Sequence, residues 1–254
     1  MKKFIAKDLT YRALKPLEVD VAILPWGATE PHGYHLPFGT DIYEAEGFAT
    51  KAAEIAVEAG VTPLVLPAIP FGMQNEGQRN IPSCINLKPS TQLLVLEDII
   101  VSLLEQGIKK LIILNGHGGN DFRCAVREMQ MKHPAMLIVA VDWWKHPAIP
   151  TLVADPGDHA GGLETSVMMH LHPELVAPLE IAGDGGTTTY KIDGLNEGWA
   201  WTPRSWSKVS KDTGIGNPKA ATPEQGKAVF ETVSVAIADL IVGLTREENI
   251  YHRF

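Results

Sequence analysis

Two cysteines in 254 residues, Cys84 and Cys124, are too few for a disulfide framework. The N-terminal stretch MKKFIAKDLTYRALKP holds only a three-residue apolar run, far short of a secretory leader, so both read as reduced, buried thiols of a cytoplasmic protein. No run reaches the roughly 18 apolar residues that a membrane span needs. Positive charge is scarce too: 22 Lys and Arg against 30 Asp and Glu give a formal net charge of −8, which excludes a nucleic-acid or anionic-membrane surface as the main partner. Repeats, low-complexity tracts and charge blocks are absent, and no G-x-S-x-G elbow presents Ser166 as a nucleophile. What is left is an acidic chain, long enough for one domain over residues 1–254 and for a core that needs neither disulfide nor metal to fold. A small-molecule substrate fits that balance.

Short apolar runs alternate with helical periodicity, the rhythm of βαβ units around a parallel sheet. Strands are expected at 19–24 (VDVAIL), 61–66 (VTPLVL), 110–114 (KLIIL) and 135–141 (AMLIVAV). Pro63 points to an edge or an irregular start for the second of these. Helices are expected over 41–60, 90–106 and 121–132, after Gly161, and over 223–244, where apolar residues recur at spacings of three and four. Residues 178–222 carry Gly, Thr, Pro and Trp with little period. A stretch of that length is a lid or an oligomer contact rather than a linker, and Trp199, Trp201 and Trp206 would line a pocket or bury an interface.

Of nine histidines, His32, His35, His117 and His159 fall in glycine-rich loops that follow strands or precede helices, while His133, His146, His170, His172 and His252 lie on helices or near the chain end and read as carrying no chemistry. In parallel α/β sheets ligands bind beyond the carboxyl ends of the strands, so such loops converge on one rim. The first reads GATEPHGYHLPFGTD. Glu30 and His32 alternate along extended backbone and face one way, and Asp41 follows at a helix start, as a metal ligand or as a helix cap. The second, NGHGGN, sets His117 among three glycines. The third, DHAGGLETS, carries His159 and, in a first helical turn, Glu164, either a site residue or an acid placed for the helix dipole. Mixed nitrogen and oxygen donors suit Zn²⁺ or Mn²⁺.

These three blocks, with GIGNPKAATPEQGKAVFE at residues 214–231, resemble the creatininase (creatinine amidohydrolase) family in content and order. The resemblance implies a three-layer α/β/α sandwich around a mostly parallel sheet, assembled as a homo-oligomer, usually a hexamer. It also implies one or two divalent metal ions (Zn, Mn or Fe), with Glu30, His32, Asp41 and His117 matching the ligands and Asp41 bridging where two are bound. His159 matches a catalytic histidine and Glu164 the acid beside it, while His35 is a candidate to contact substrate and Asn120 either holds a substrate carbonyl or braces its own loop. There are departures. Creatinine-hydrolysing members carry a glutamate ligand where this chain has Gly119, leaving a mononuclear centre or one in which Glu164 takes the vacant role. Pro31 and Tyr34 replace the family's usual glutamine and proline, and residues 154–157 lack the tryptophan placed against creatinine, with Trp143 or Trp144 as possible substitutes. The expected reaction is hydrolysis of a non-peptide C–N bond in a small cyclic or linear amide, with creatinine itself disfavoured. Deformylation or trimming of a small modified peptide are the alternatives inside the family, and a catalytically silent small-molecule-binding protein is the alternative outside enzymes.

Overall fold

The computed structural model describes residues 4–247, 250 and 251, so His252 lies outside the described residues. Four strands, β1 (Val21–Trp26), β2 (Pro63–Val65), β3 (Lys110–Asn115) and β4 (Leu137–Asp142), form one sheet in the order β2-β1-β3-β4. All three pairings are parallel. Pro63 opens an edge strand, the place a residue without an N–H is tolerated. Pro25 is less expected, because β1 is central. Its carbonyl accepts from Ile69 N–H, beyond the end of β2, so its missing donor faces the side where the neighbouring strand has already stopped.

Alternation along the strands sorts the core into two layers. Val21 and Ile23 of β1, with Ile112 and Leu114 of β3, pack with α1 (Thr40–Glu58), α4 (Gly162–Leu171) and α5 (Pro223–Arg246). Ala22, Leu24 and Trp26, with Leu111 and Ile113, pack with α2 (Pro89–Glu105) and α3 (Phe122–Lys132) on the other face. The result is a three-layer α/β/α sandwich. Helix α5 is long and apolar enough to cross a bilayer by length and composition, yet its face of Val229, Val233, Ile237 and Ile241 is buried in the core it shares with α1 and α4. A capping box between Thr222 and Gln225, with Pro223 in the first turn, starts it.

Residues 178–222 form short turns rather than long elements. Trp206 is buried, whereas Trp199 and Trp201 are 78% and 83% exposed. Cys84 is half-buried, but Cys124 is exposed on α3, which corrects the expectation that both thiols are buried: its neighbours Phe122 and Met129 take the inward face of that helix.

Candidate metal centre

The order β2-β1-β3-β4 puts the reversal of strand progression between β1 and β3, where the crevice of an open α/β sheet lies. Two glycines at that point let a helix sit directly on the strand ends. A Cβ at Gly27 would come 2.7 Å from the Asp41 carbonyl carbon, and one at Gly116 would run into the Asp41 carbonyl oxygen. The first turn of α1 therefore lands between the loop after β1 and the loop after β3. Asp41 is the second residue of the helix and Gly39 its N-cap, so the Asp41 carboxylate is free for the site and does not cap.

Five buried side chains and the partly buried Glu164 meet at these loops and helix starts. Asp41 Oδ1 lies 2.8 Å from His32 Nε2, and Asp41 Oδ2 lies 3.1 Å from His117 Nδ1. Glu30 Oε1 is 2.9 Å from His117 Nδ1 and 3.6 Å from His159 Nδ1. Glu164 Oε2 stands 4.0 Å from His32 Nε2. Two ligand groups result, Glu30 with Asp41 and His117, and His32 with Asp41 and Glu164, sharing Asp41; a third combines Glu30, His32 and His159. Despite the short distances, buried His32 Nε2 and Asp41 Oδ2 make no well-aligned hydrogen bond. Bare donors converging on common space fit a cation better than they fit each other.

Backbone carbonyls set the imidazoles. His32 Nδ1 is 3.1 Å from Glu30 O, His117 Nε2 2.7 Å from Met73 O and His159 Nε2 2.8 Å from Pro31 O. A carbonyl only accepts, so each of these nitrogens donates and the opposite one is left bare towards the cluster. Gln78 Nε2 donates to Glu30 Oε2 at 2.5 Å, turning Oε1 inward. Ala160, held at φ 50°, donates its N–H to Glu164 Oε2 at 2.5 Å. A non-glycine residue in that region costs about 1–3 kcal/mol, which the surrounding contacts must offset. Part of that support is the pair of hydrogen bonds between His159 and Ile215, which ties the GIGN block to the site.

The charges reinforce one another. Burial alone would lower His32, but Asp41, Glu164 and Glu30 raise it to about 10. Burial likewise opposes His117, which Glu30 and Asp41 hold well above the usual imidazole value. Against their own burial, Glu30 is held low by His117 and His159, and Asp41 by His32 and His117. Glu164 stays raised, burial outweighing its imidazole neighbours. A site that must hold protons in place of a cation releases them when the cation binds.

One expected substrate contact, His35, lies elsewhere, and Asn120, open between substrate and loop, braces the loop. His35 is buried behind the cavity, its Nε2 2.8 Å from Thr165 Oγ1, and burial together with His32 pulls its pKa down to about 4. Asn120 lines the cavity but has spent its amide: Oδ1 accepts from Met73 N–H at 3.1 Å and Gln92 Nε2 at 2.9 Å, while Nδ2 donates to Asn115 Oδ1 at 3.2 Å and Gly27 O at 3.4 Å. It is a loop brace, with no donor or lone pair left over. Gly119 is also more than a missing ligand. A Cβ there would run into Met73 O and His117 Nε2, so the bond that orients His117 occupies the space a glutamate would enter through.

Sequence reading passed over two residues. Gln78 lies in the aperiodic stretch between β2 and α2, and nothing local marks it. Glu44 is fully buried on α1, neither carboxylate oxygen has a partner among the described residues, and burial with Glu164 and Asp41 nearby raises its pKa well above the usual range. Its position three residues after Asp41 was the available signal, since i and i+3 share a helix face.

The cluster floors a cavity of about 880 Å³ whose walls include Gln74, Arg79, Arg123, Trp201, Arg204 and Trp206. Trp206 stands edge-on to His159 with ring centroids 5.1 Å apart. The Trp206 backbone N–H donates to Glu76 O at 2.7 Å, and Arg204 pairs with Asp158 at 2.5 Å. These contacts make residues 201–206 of the irregular stretch a wall of the cavity.

Known proteins share this framework. Creatinine amidohydrolase of Pseudomonas putida is 26% identical over 241 residues, covering 87% of this chain and 88% of its own length. A mycofactocin precursor peptide peptidase of Mycolicibacterium smegmatis is 26% identical over 225 residues, covering 88% and 85%. A solved creatinine amidohydrolase-like protein from Bacteroides fragilis is 43% identical with a TM-score of 0.94, covering 99% of this chain and 100% of that one. Creatininase solved in a Zn–Zn and an Mn form shares the fold at 24% identity and a TM-score of 0.77, over 96% of this chain and 98% and 99% of theirs. The family model described as creatinine amidohydrolase matches residues 7–241. With that match over most of its length, the chain belongs to the creatininase family of hydrolases acting on carbon–nitrogen bonds.

Proposed function

We propose that this chain hydrolyses a non-peptide C–N bond in a small cyclic or linear amide, using one or two divalent ions held by Glu30, His32, Asp41, His117 and Glu164. The observation that carries the reading is the pair of ligand groups sharing Asp41 on the floor of the cavity. Their mixed nitrogen and oxygen donors suit Zn²⁺ or Mn²⁺. A bound divalent ion supplies Lewis acidity there, polarising a carbonyl and bringing the pKa of water to about 7.

The chain's own groups supply the rest. His159 belongs to a third possible ligand group, but either group built on Asp41 leaves its Nδ1 free, and we assign it proton transfer. Pro31 O fixes its Nε2–H, so Nδ1 is the atom that accepts a proton from water and returns it to the leaving nitrogen. Trp206 walls that imidazole on one side and limits water around it. Glu164 completes a ligand group with His32 and Asp41, and we assign it the role left open by the absence of a glutamate at Gly119. Gln78 keeps Glu30 turned inward.

A second reading, trimming of a short modified peptide, draws support from the cavity, whose 880 Å³ exceeds what a single small ring fills. Elemental analysis and amide turnover of Glu30→Gln and His117→Ala test the assignment: both variants are expected to lose metal and activity together. Unchanged metal occupancy in both would sink it.

A further inference from the structure

Beyond the metal-facing residues, the cavity carries groups that the proposed hydrolysis leaves without a task. Gln74 is 9% exposed in the cavity wall, and neither its Nε2 nor its Oε1 has a hydrogen-bond partner among the described residues. Its backbone is fixed, with its N–H donating to Asn86 Oδ1 at 2.8 Å, and the preceding carbonyl, Met73 O, is the one that orients His117. A free amide is thus anchored one residue from a metal-side contact. Buried polar groups left unpaired are rare and costly, and one on a residue that lines a cavity points to a ligand.

Arg79 and Arg123 line the same cavity and are exposed, and no carboxylate pairs with either guanidinium among the described residues. The other cations there are engaged: Lys145 pairs with Asp142 at 2.6 Å, and Arg204 pairs with Asp158 and lies over the Trp206 ring. Asp121 caps α3, accepting from Arg123 N–H at 3.1 Å. Once Glu30, Asp41 and Glu164 face a cation, the cavity keeps four cationic side chains against three carboxylates, on a chain whose net charge is −8. With two divalent ions on the floor the cavity is net positive, opposite in sign to the molecule, which concentrates anions at its mouth.

We propose that Gln74, Arg79 and Arg123 form a subsite for an anionic oxyacid group, so that the amide hydrolysed here carries a carboxylate or a phosphate. The guanidiniums offer forked donors to the oxyanion. Gln74 offers Nε2–H to the same group or Oε1 to an amide N–H. The assignment to a substrate rests on the hydrolase reading, but binding can be measured without turnover.

The test is calorimetry on the Mn²⁺-loaded protein with N-acetylglycine, N-acetyl-O-phosphoethanolamine and neutral N-acetylglycinamide. At least one anionic amide is expected to bind about tenfold or more tightly than the neutral one, and the tighter anion identifies the source. In Arg79→Gln/Arg123→Gln that advantage is expected to fall to within about twofold, at unchanged metal content by elemental analysis; Gln74→Leu is expected to weaken all three probes. An advantage that survives the double substitution places the anion on the metal and overturns the proposal, as does equal or absent binding of all three by the wild type. Selective anion binding without hydrolysis of any amide would sink the hydrolase reading and leave the subsite standing; hydrolysis without anion selectivity does the reverse.

Discussion

The floor and the rim of the cavity are built on opposite principles. On the floor, Glu30, His32, Asp41 and His117 are buried, each is pinned by a second residue or a carbonyl, and their charges shift one another's protonation. At the rim, Arg79, Arg123 and Trp201 are exposed, and the irregular segment is moored by a few contacts such as Trp206 to Glu76 and Arg204 to Asp158. Rigid strand ends hold the reactive groups, and loops hold what meets the substrate. The floor therefore fixes the reaction and the rim fixes what enters, so substitutions should separate into those that remove metal and those that change selectivity.

Asp41→Asn probes that division hardest, because Asp41 belongs to both ligand groups. Metal content is expected to fall to background with loss of all amide turnover, measured on protein purified in Mn²⁺ or Zn²⁺; retention of metal would show that the two groups do not share a ligand. Gly119→Glu comes next. It is expected to destabilise the fold by about 1–3 kcal/mol in thermal or denaturant unfolding and to add no metal, since its side chain meets the contact that orients His117; a stable variant with extra metal would break the steric account. Gln78→Leu touches the floor only through Glu30, and metal affinity is expected to drop about 10- to 100-fold by competition with a chelator.

Protonation gives a milder test. His32, at about 10 in the metal-free fold against 6.5 in an unfolded chain, lends stability that is fully present below pH 6.5 and is lost as pH rises through 10. After chelation, the stability gap between wild type and His32→Gln should therefore narrow from pH 7 to pH 10. Metal binding at pH 7 should also release protons, visible as a buffer-dependent heat, and a buffer-independent heat would contradict the proton-filled site. Smallest is Trp201→Ala at the rim: unfolding stability within about 0.5 kcal/mol of wild type, unchanged metal content and a shifted KM.

Much of the floor was legible because its residues sit in short glycine-rich blocks at the ends of recognisable strands, where topology leaves few places to go. The strands β1 and β3 followed from their apolar runs, and Pro63 left an edge place or an irregular start for β2. Local pattern misjudged residues whose role depends on what the chain brings from afar. Local pattern left Asn120 open between substrate contact and loop brace, and only Gln92, Asn115 and Gly27, which consume its amide, decide for the brace. His35 lay in the right loop but faces Thr165 of α4. Gln78 sits 48 residues from Glu30 in sequence with nothing between to link them.

The sequence by itself determined the parallel βαβ arrangement, the strand-end loops and the chemical types that gather there, because period and glycine placement are local properties of the chain. Only the tertiary structure decided which carboxylate is shared, which face of each imidazole is bare, why position 119 admits no side chain, and that a cavity with cations left over opens in an acidic protein. Those are matters of distance between residues far apart in the chain. No local pattern encodes such a distance until packing has fixed it.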